Sequence, residues 1–160
     1  YSLDPSMSWF GAGSNGIVYK SSGRAIKYSK DISEFRNTTF AFENQLNWVV
    51  PILEQPVQIQ ENPFLCKVVM KELEQISEKQ SNLFWYLTDH LLKGIKTEIP
   101  DVGSVMENFV LTMDVNEVLN IYNQVEYIIQ ENEKTLKLQD LHPGNFGWDG
   151  NRLKLLDLSM

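Results

Sequence analysis

Strand-like patterns fill the first part of the chain, and apolar residues recur at helical spacing in the later part. Ile17-Val18-Tyr19 and Arg24-Ala25-Ile26-Lys27-Tyr28 are rich in β-branched and aromatic residues, which is typical of strands, and Ser21-Ser22-Gly23 suits the turn between them. Two more apolar runs, at 56–59 and 64–70, predict a second hairpin. Together with a strand before residue 11, these runs predict a five-stranded antiparallel sheet.

Three segments carry apolar residues at helical spacing: Ile32 to about Trp48, Ser77 to Leu92, and Asp114 to about Glu131. The third is the strongest, since Asp114 can cap it. Its apolar positions are Val118, Leu119, Tyr122, Val125, Ile128 and Ile129. This surface exceeds what one helix face needs, so we expect either a compact helical part built from residues 77–160 or a homodimer that buries it.

The end of the sequence predicts a last hairpin. Asp149-Gly150 is a strong turn signal between Phe146-Gly147-Trp148 and the strand-like Arg152 to Leu156. Strands followed by helices and a hairpin predict an α+β fold.

Composition narrows the possible partners. The chain has 160 residues and a net charge of −7, which fits one domain and argues against nucleic acid as a partner, because phosphate contacts need clustered Lys and Arg. Cys66 is the single cysteine, so no internal disulfide forms and a cytoplasmic location is expected, in the host cytoplasm if the protein is viral. The sequence has no apolar run long enough to span a bilayer, so no membrane partner is expected.

The final thirty residues carry the most specific motif. Asp140-Leu141-His142-Pro143-Gly144-Asn145, with Leu156-Asp157 about a dozen residues later, resembles the catalytic loop and metal-binding Asp of the protein-kinase-like superfamily. The loop is similar to that of aminoglycoside phosphotransferases. The chain as a whole most resembles short bacteriophage Ser/Thr protein kinases, which have a similar Asp-x-His-x-Gly-Asn loop and are similarly brief. The resemblance implies Asp140 as general base, Asn145 and Asp157 as Mg²⁺ ligands, and His142 near the transferred phosphate.

The first part of the chain carries a matching phosphate-binding pattern. Gly11, Gly13 and Gly16 have the G-x-G-x-x-G spacing, and a strand rather than a helix follows, so we expect a hairpin tip. The resemblance implies that this tip, with Ser14, covers the ATP phosphates, and that Lys27 in the Ala-x-Lys pattern binds them.

The resemblance also implies a carboxylate partner for Lys27 and an adenine site. Glu43 is the expected partner and Glu34 the alternative, because the phase of the helix is uncertain by a residue or two. The adenine site would use Val18, Ala25, Met70 and a hinge at Lys71-Glu72-Leu73.

We therefore expect an ATP- and Mg²⁺-dependent kinase of minimal type. It would comprise an N-lobe at about 1–73, with the five-stranded sheet and one helix, and a shortened, mainly helical C-lobe at 74–160. A protein Ser/Thr substrate is expected, with a small-molecule kinase of the aminoglycoside or sugar type and a pseudokinase-like inhibitor as alternatives. Leu138 and Gln139 replace the usual His and Arg, so activity should not depend on activation-loop phosphorylation.

Overall fold

The computed structural model describes residues 8–12, 16–94, 113–139 and 141–159, with the backbone alone at 8–12 and 89–94. These residues form antiparallel sheets and three α-helices, an α+β arrangement. They divide into two compact units. Unit 1 contains the described residues up to Leu73 and those from Asp157 onwards, and unit 2 runs from Glu74 to Leu156.

Unit 1 is built on a sheet with the strand order β1-β2-β3-β5-β4. Its strands are β1 (Ser8–Ala12), β2 (Gly16–Ser21), β3 (Arg24–Ser29), β4 (Val57–Gln60) and β5 (Leu65–Lys71). All neighbouring pairs are antiparallel. The expected hairpins are therefore present, and Gly23 occupies the positive φ of 78° that the β2–β3 turn requires.

Helix α1 (Ile32–Glu43) follows β3 after a two-residue connection and is shorter than expected. The Asp31 side chain caps its N-terminus by accepting hydrogen bonds from the backbone N–H groups of Ser33 and Glu34. The helix ends at Glu43 because Gln45 adopts a positive φ of 51°, which helical geometry does not allow. The chain then runs through the buried Trp48, so the predicted extension to that residue is wrong.

Unit 2 combines two helices with a small three-stranded sheet. Helix α2 spans Glu78–Gly94 and helix α3 spans Val115–Lys134, with Asp114 as its N-cap. The sheet order is β6-β7-β8, where the strands are β6 (Glu74–Gln75), β7 (Phe146–Asp149) and β8 (Arg152–Leu155). The β7–β8 hairpin turns at Gly150, as its Asp-Gly signal predicted, with a φ of 62°.

The apolar face of α3 is buried within unit 2. Its buried apolar residues are Val118, Ile121, Tyr122, Val125, Ile128 and Ile129. Leu119, which was expected on this face, is half-buried, and Ile121 takes a fully buried place. Helix α2 and strand β8 pack against α3. This packing covers much of the apolar surface that a homodimer was expected to bury as the alternative. None of the helices in the described ranges is both long and apolar enough to cross a membrane.

Candidate functional site

The expected nucleotide-binding residues of unit 1 share one face of its sheet. In the β2–β3 register Val18 lies opposite Lys27, and in the β3–β5 register Ala25 lies opposite Met70. Directly opposed residues project to the same face, and so do residues two apart on one strand. Val18, Ala25, Lys27 and Met70 therefore project together, and Ala25 and Met70 are each only 8% exposed.

Lys27 forms an ion pair with Glu34. Its Nζ lies 2.6 Å from Glu34 Oε1 and 4.0 Å from Asp157 Oδ1, and the Glu34 side chain is 3% exposed. Such a buried, charge-assisted contact fixes the ammonium group in one place. One lysine thus stands between two carboxylates, one at the start of α1 and one in the final segment of the chain.

Glu43, the expected partner of Lys27, is not the partner. It is exposed at the last position of α1, whereas Glu34 lies in the first turn beside the end of β3. Nine residues correspond to two and a half helical turns, so these two side chains lie on opposite faces of the helix. Glu34 shares the buried face of α1 with Thr38 and Ala41.

Ser29 orients the Glu34 carboxylate, a role that sequence analysis did not predict. Its fully buried hydroxyl donates to Glu34 Oε2 at 3.2 Å and accepts the Asp31 N–H at 3.1 Å. Both oxygens of Glu34 are therefore held, one by Lys27 and one by Ser29. A serine at the end of a strand is too common for its sequence position to reveal such a contact.

Burial raises the pKa of Glu34 above its ordinary value, more than the charge and hydrogen bond of Lys27 lower it. The nearby Asp157 raises this pKa further, and the Ser29 hydrogen bond lowers it. Burial likewise raises the pKa of the Cys66 thiol to about 11, with the Glu34 charge as the next cause. Cys66 lies opposite Ser29 in the β3–β5 register and is fully buried.

Two of the backbone donors in the expected hinge are used within unit 1. The Lys71 N–H donates to the Pro51 carbonyl and the Glu72 N–H to the Gly23 carbonyl, each at 2.9 Å. The Glu72 side chain pairs with Lys20 at 3.2 Å. The Glu72 N–H is thus used by the β2–β3 turn, and the expectation that the backbone of Lys71-Glu72-Leu73 faces the adenine stays a prediction.

The glycine pattern is only partly within the described residues. Gly11 lies in β1 and Gly16 begins β2, while Gly13 and Ser14 lie outside the described residues. A Cβ at Gly16 would collide with the Tyr28 carbonyl oxygen of β3. Gly16 therefore has a packing requirement of its own, independent of any phosphate.

In unit 2 the loop before β7 is fixed to α3 by the Asn132 side chain. Its Nδ2 donates to the Leu138 carbonyl and its Oδ1 accepts the Leu138 N–H, both at 2.9 Å and both buried. Asp140, the expected base, lies outside the described residues. The two Asn132 bonds, called the Asn132 clamp below, fix the main chain at Leu138, two residues before Asp140 in the sequence.

His142 caps a short 3-10 helix, Pro143–Asn145. Its Nδ1 accepts the Gly144 N–H at 3.1 Å, which places the proton of the neutral ring on Nε2. The imidazole stacks on Trp85 of α2, with ring centroids 6.0 Å apart and an interplanar angle of 16°. The donor nitrogen of the ring in this tautomer is therefore Nε2.

Asn145 is buried and closes the same loop. Its N–H donates to the His142 carbonyl at 2.9 Å, and its carbonyl accepts the Leu156 N–H at 2.6 Å. The second bond joins the loop to the residue directly before Asp157.

A Mg²⁺ ion bound by the described residues would need phosphate oxygens of a nucleotide as well as protein ligands. Among the described residues, no group of three or more His, Cys, Asp or Glu side chains is arranged to hold a metal ion. Mg²⁺ is commonly held by one or two carboxylates together with phosphate oxygens and water. The Asp157 carboxylate of unit 1 is a ligand group of that kind.

No protein-family model and no curated protein matches the chain. Solved structures of the aminoglycoside phosphotransferase APH(2")-IIa are similar to it. The gentamicin complex gives 15% identity and a TM-score of 0.36 over 96% of this chain and 64% of that chain. The streptomycin–ATP complex gives 16% identity and a TM-score of 0.32 over 95% and 66%. The chain thus spans just under two thirds of the length of these proteins, and likeness at this level leaves the function to be argued from the site.

Proposed function

We propose that this protein is an ATP- and Mg²⁺-dependent phosphotransferase of the protein-kinase-like type. The observation that carries the proposal is the Lys27–Glu34 ion pair, 2.6 Å long and buried, with Asp157 4.0 Å from the same ammonium group. A strand lysine fixed by a helix glutamate, beside an aspartate, is an arrangement that binds nucleotide phosphates and their metal ion.

Each residue then has a defined task. Lys27 binds the nucleotide phosphates, and Asp157 and Asn145 supply oxygen ligands to Mg²⁺, which when bound neutralises charge on the transferred phosphoryl group. Asp140 accepts or orients the proton of the acceptor hydroxyl. His142 acts near the transferred phosphate.

The acceptor we favour is a Ser or Thr hydroxyl on a protein. Unit 2, which carries the loop, contains 13 Asp and Glu against 7 Lys and Arg between residues 74 and 156. An acidic surface attracts cationic partners and raises their rate of encounter. A basic peptide is therefore the expected substrate.

The second candidate acceptor is a cationic small molecule. The observation that favours it is His142 in the loop, with its Nε2–H donor geometry, in place of the lysine usual in protein kinases. An amine-bearing sugar would satisfy the same acidic surface, and gentamicin and streptomycin are the compounds bound by the similar structures.

The test is transfer from labelled ATP with Mg²⁺ to a basic Ser/Thr peptide library, to gentamicin and to streptomycin. Asp140→Asn should keep nucleotide binding while transfer falls by about 10²–10⁴-fold, the contribution of a positioned base. If both the wild type and Asp140→Asn bind ATP but neither transfers phosphate to any of these acceptors, the result would instead support a pseudokinase-like inhibitor.

A further inference from the structure

Helix α1 makes a second polar contact beyond the one to Lys27. Asn37, three residues after Glu34, donates from Nδ2 to the main-chain carbonyl of Leu158 at 2.8 Å. Leu158 is 2% exposed and directly follows Asp157. Residues three apart on a helix lie on neighbouring positions of one face, so Glu34 and Asn37 act from the same side of α1.

Three of the described contacts hold residues 157–159. The Asp157 carboxylate lies 4.0 Å from Lys27 Nζ, and its Oδ1 accepts the Ser159 N–H at 2.9 Å. The third point is the Leu158 carbonyl on Asn37. Lys27 and Ser159 act on the carboxylate itself, whereas Asn37 fixes the main chain that carries it.

We propose that Asn37 is a positioning residue that sets the Asp157 carboxylate for Mg²⁺–nucleotide binding. This inference rests on the proposed function, since it takes Asp157 to be a metal ligand. Through Glu34 and Asn37, one helix holds both the phosphate-binding lysine and the metal-binding aspartate in a fixed relation. Groups that orient a metal ligand without touching the metal commonly change metal affinity or activity by 10- to 100-fold when removed.

The test compares Asn37→Ala with Asn44→Ala. Asn44 is the matched control, because its Nδ2 also donates to a main-chain carbonyl, that of Phe40 at 2.9 Å, but within the exposed end of the same helix. Calorimetry would measure ATP affinity with saturating Mg²⁺ and with EDTA. We expect Asn37→Ala to reduce the gain in affinity that Mg²⁺ gives by about tenfold, with the EDTA value unchanged. Asn44→Ala should match the wild type in both conditions.

A second readout does not depend on the metal. In Asn37→Ala, hydrogen exchange of the backbone amides at 157–159 should be faster than in the wild type and in Asn44→Ala. Asn37→Leu preserves side-chain volume without the donor, so it should reproduce both effects if Asn37→Ala is compromised in folding. Equal losses of ATP affinity with and without Mg²⁺, or unchanged exchange at 157–159, would overturn the positioning role.

Failure of the proposed function has a different signature. If ATP affinity of the wild type is the same with Mg²⁺ and with EDTA, the assignment of Asp157 as a metal ligand fails and this inference fails with it. If the wild type gains affinity with Mg²⁺ and Asn37→Ala gains as much, the proposed function stands and the positioning role alone is refuted.

Discussion

The two units hold their candidate site residues by different means. In unit 1 the contacts join charged side chains from separate elements: Lys27 of β3, Glu34 of α1 and Asp157 of the last segment. In unit 2 the contacts run from side chains to the main chain, as in the Asn132 clamp on Leu138 and the Gly144 N–H on His142. Unit 1 thus holds its charged groups mainly through one another, with the Asn37 bond to the Leu158 carbonyl as the exception, whereas unit 2 holds the main chain.

The difference sets how each unit should respond to mutation. Removing one charge from unit 1 leaves the backbone in place but alters the electrostatics around Lys27. Removing an amide from unit 2 leaves buried main-chain groups without partners, which costs stability directly. We therefore expect unit 1 variants to show mainly in catalysis and unit 2 variants mainly in folding.

The largest effect expected is from Asn132→Ala. The buried N–H and carbonyl of Leu138 both lose their partner, at a cost of about 1–3 kcal/mol each. Urea denaturation would measure the loss. Asn120→Ala is the control, since Asn120 lies on the same helix and makes an exposed contact with Gln124. Similar unfolding free energies for the two variants would contradict the distinction between the units.

Glu34→Gln should come next and should act on catalysis. It removes the charged partner of Lys27, and hydrogen bonds to charged groups contribute about 1.5–3 kcal/mol, so kcat/KM should fall by about 10- to 100-fold. Glu43→Gln should leave kcat/KM at the wild-type value, because Glu43 is exposed at the end of α1. A fall in kcat/KM for Glu43→Gln but not for Glu34→Gln would contradict a catalytic role for the Lys27–Glu34 pair.

Ser29→Ala should have a smaller effect of the same kind. The hydroxyl that donates to the Glu34 carboxylate at 3.2 Å is lost while the shorter Lys27 contact remains, so only part of the about 1.5–3 kcal/mol of a hydrogen bond to a charged group is lost and kcat/KM should fall by about two- to tenfold. Ser33→Ala is the comparison, since that hydroxyl bonds to Asp31 instead. A Ser29 variant with wild-type kinetics would show that Lys27 alone suffices to hold Glu34.

The smallest effect concerns pH and stability. Burial raises the pKa of Glu34, so its contribution to stability is complete below the ordinary glutamate pKa and is lost as pH rises through the raised value. The unfolding free energy of the wild type relative to Glu34→Gln should therefore increase as pH falls towards the ordinary glutamate pKa, by at most about 1.4 kcal/mol per pH unit. A difference that instead shrinks on acidification would mean that Lys27 outweighs burial and lowers this pKa.

Local signals in the sequence predicted much of the fold. The Asp149-Gly150 turn, the Asp114 cap and the apolar spacing of α3 each depend on residues within a few positions, and each is present. Strand β6, with two residues, is too short to leave a pattern. The end of α1 was missed because a positive φ at Gln45 has no strong signature in that residue type.

The site was harder to predict because its contacts join distant residues. The choice between Glu34 and Glu43 depended on the phase of one helix, and the wrong choice turned the side chain by half a turn. Ser29, Asn37 and Asn132 were missed for another reason: four of their contacts are with main-chain groups, which are the same in every residue. The functional role of each candidate site residue stays a prediction, and Asp140, Gly13 and Ser14 also lie outside the described residues.

The buried thiol of Cys66 can report on the opening of the sheet in unit 1. At neutral pH a thiol with a pKa of about 11 is almost entirely protonated, and no part of it is exposed, so it should be inert to alkylating reagents in the folded state. Because it is the single cysteine of the chain, any labelling that occurs records the opening of the strand pair around Ser29. The rate of Cys66 alkylation, followed by intact mass spectrometry, therefore measures how often the sheet that carries Lys27 opens. No engineered label is needed.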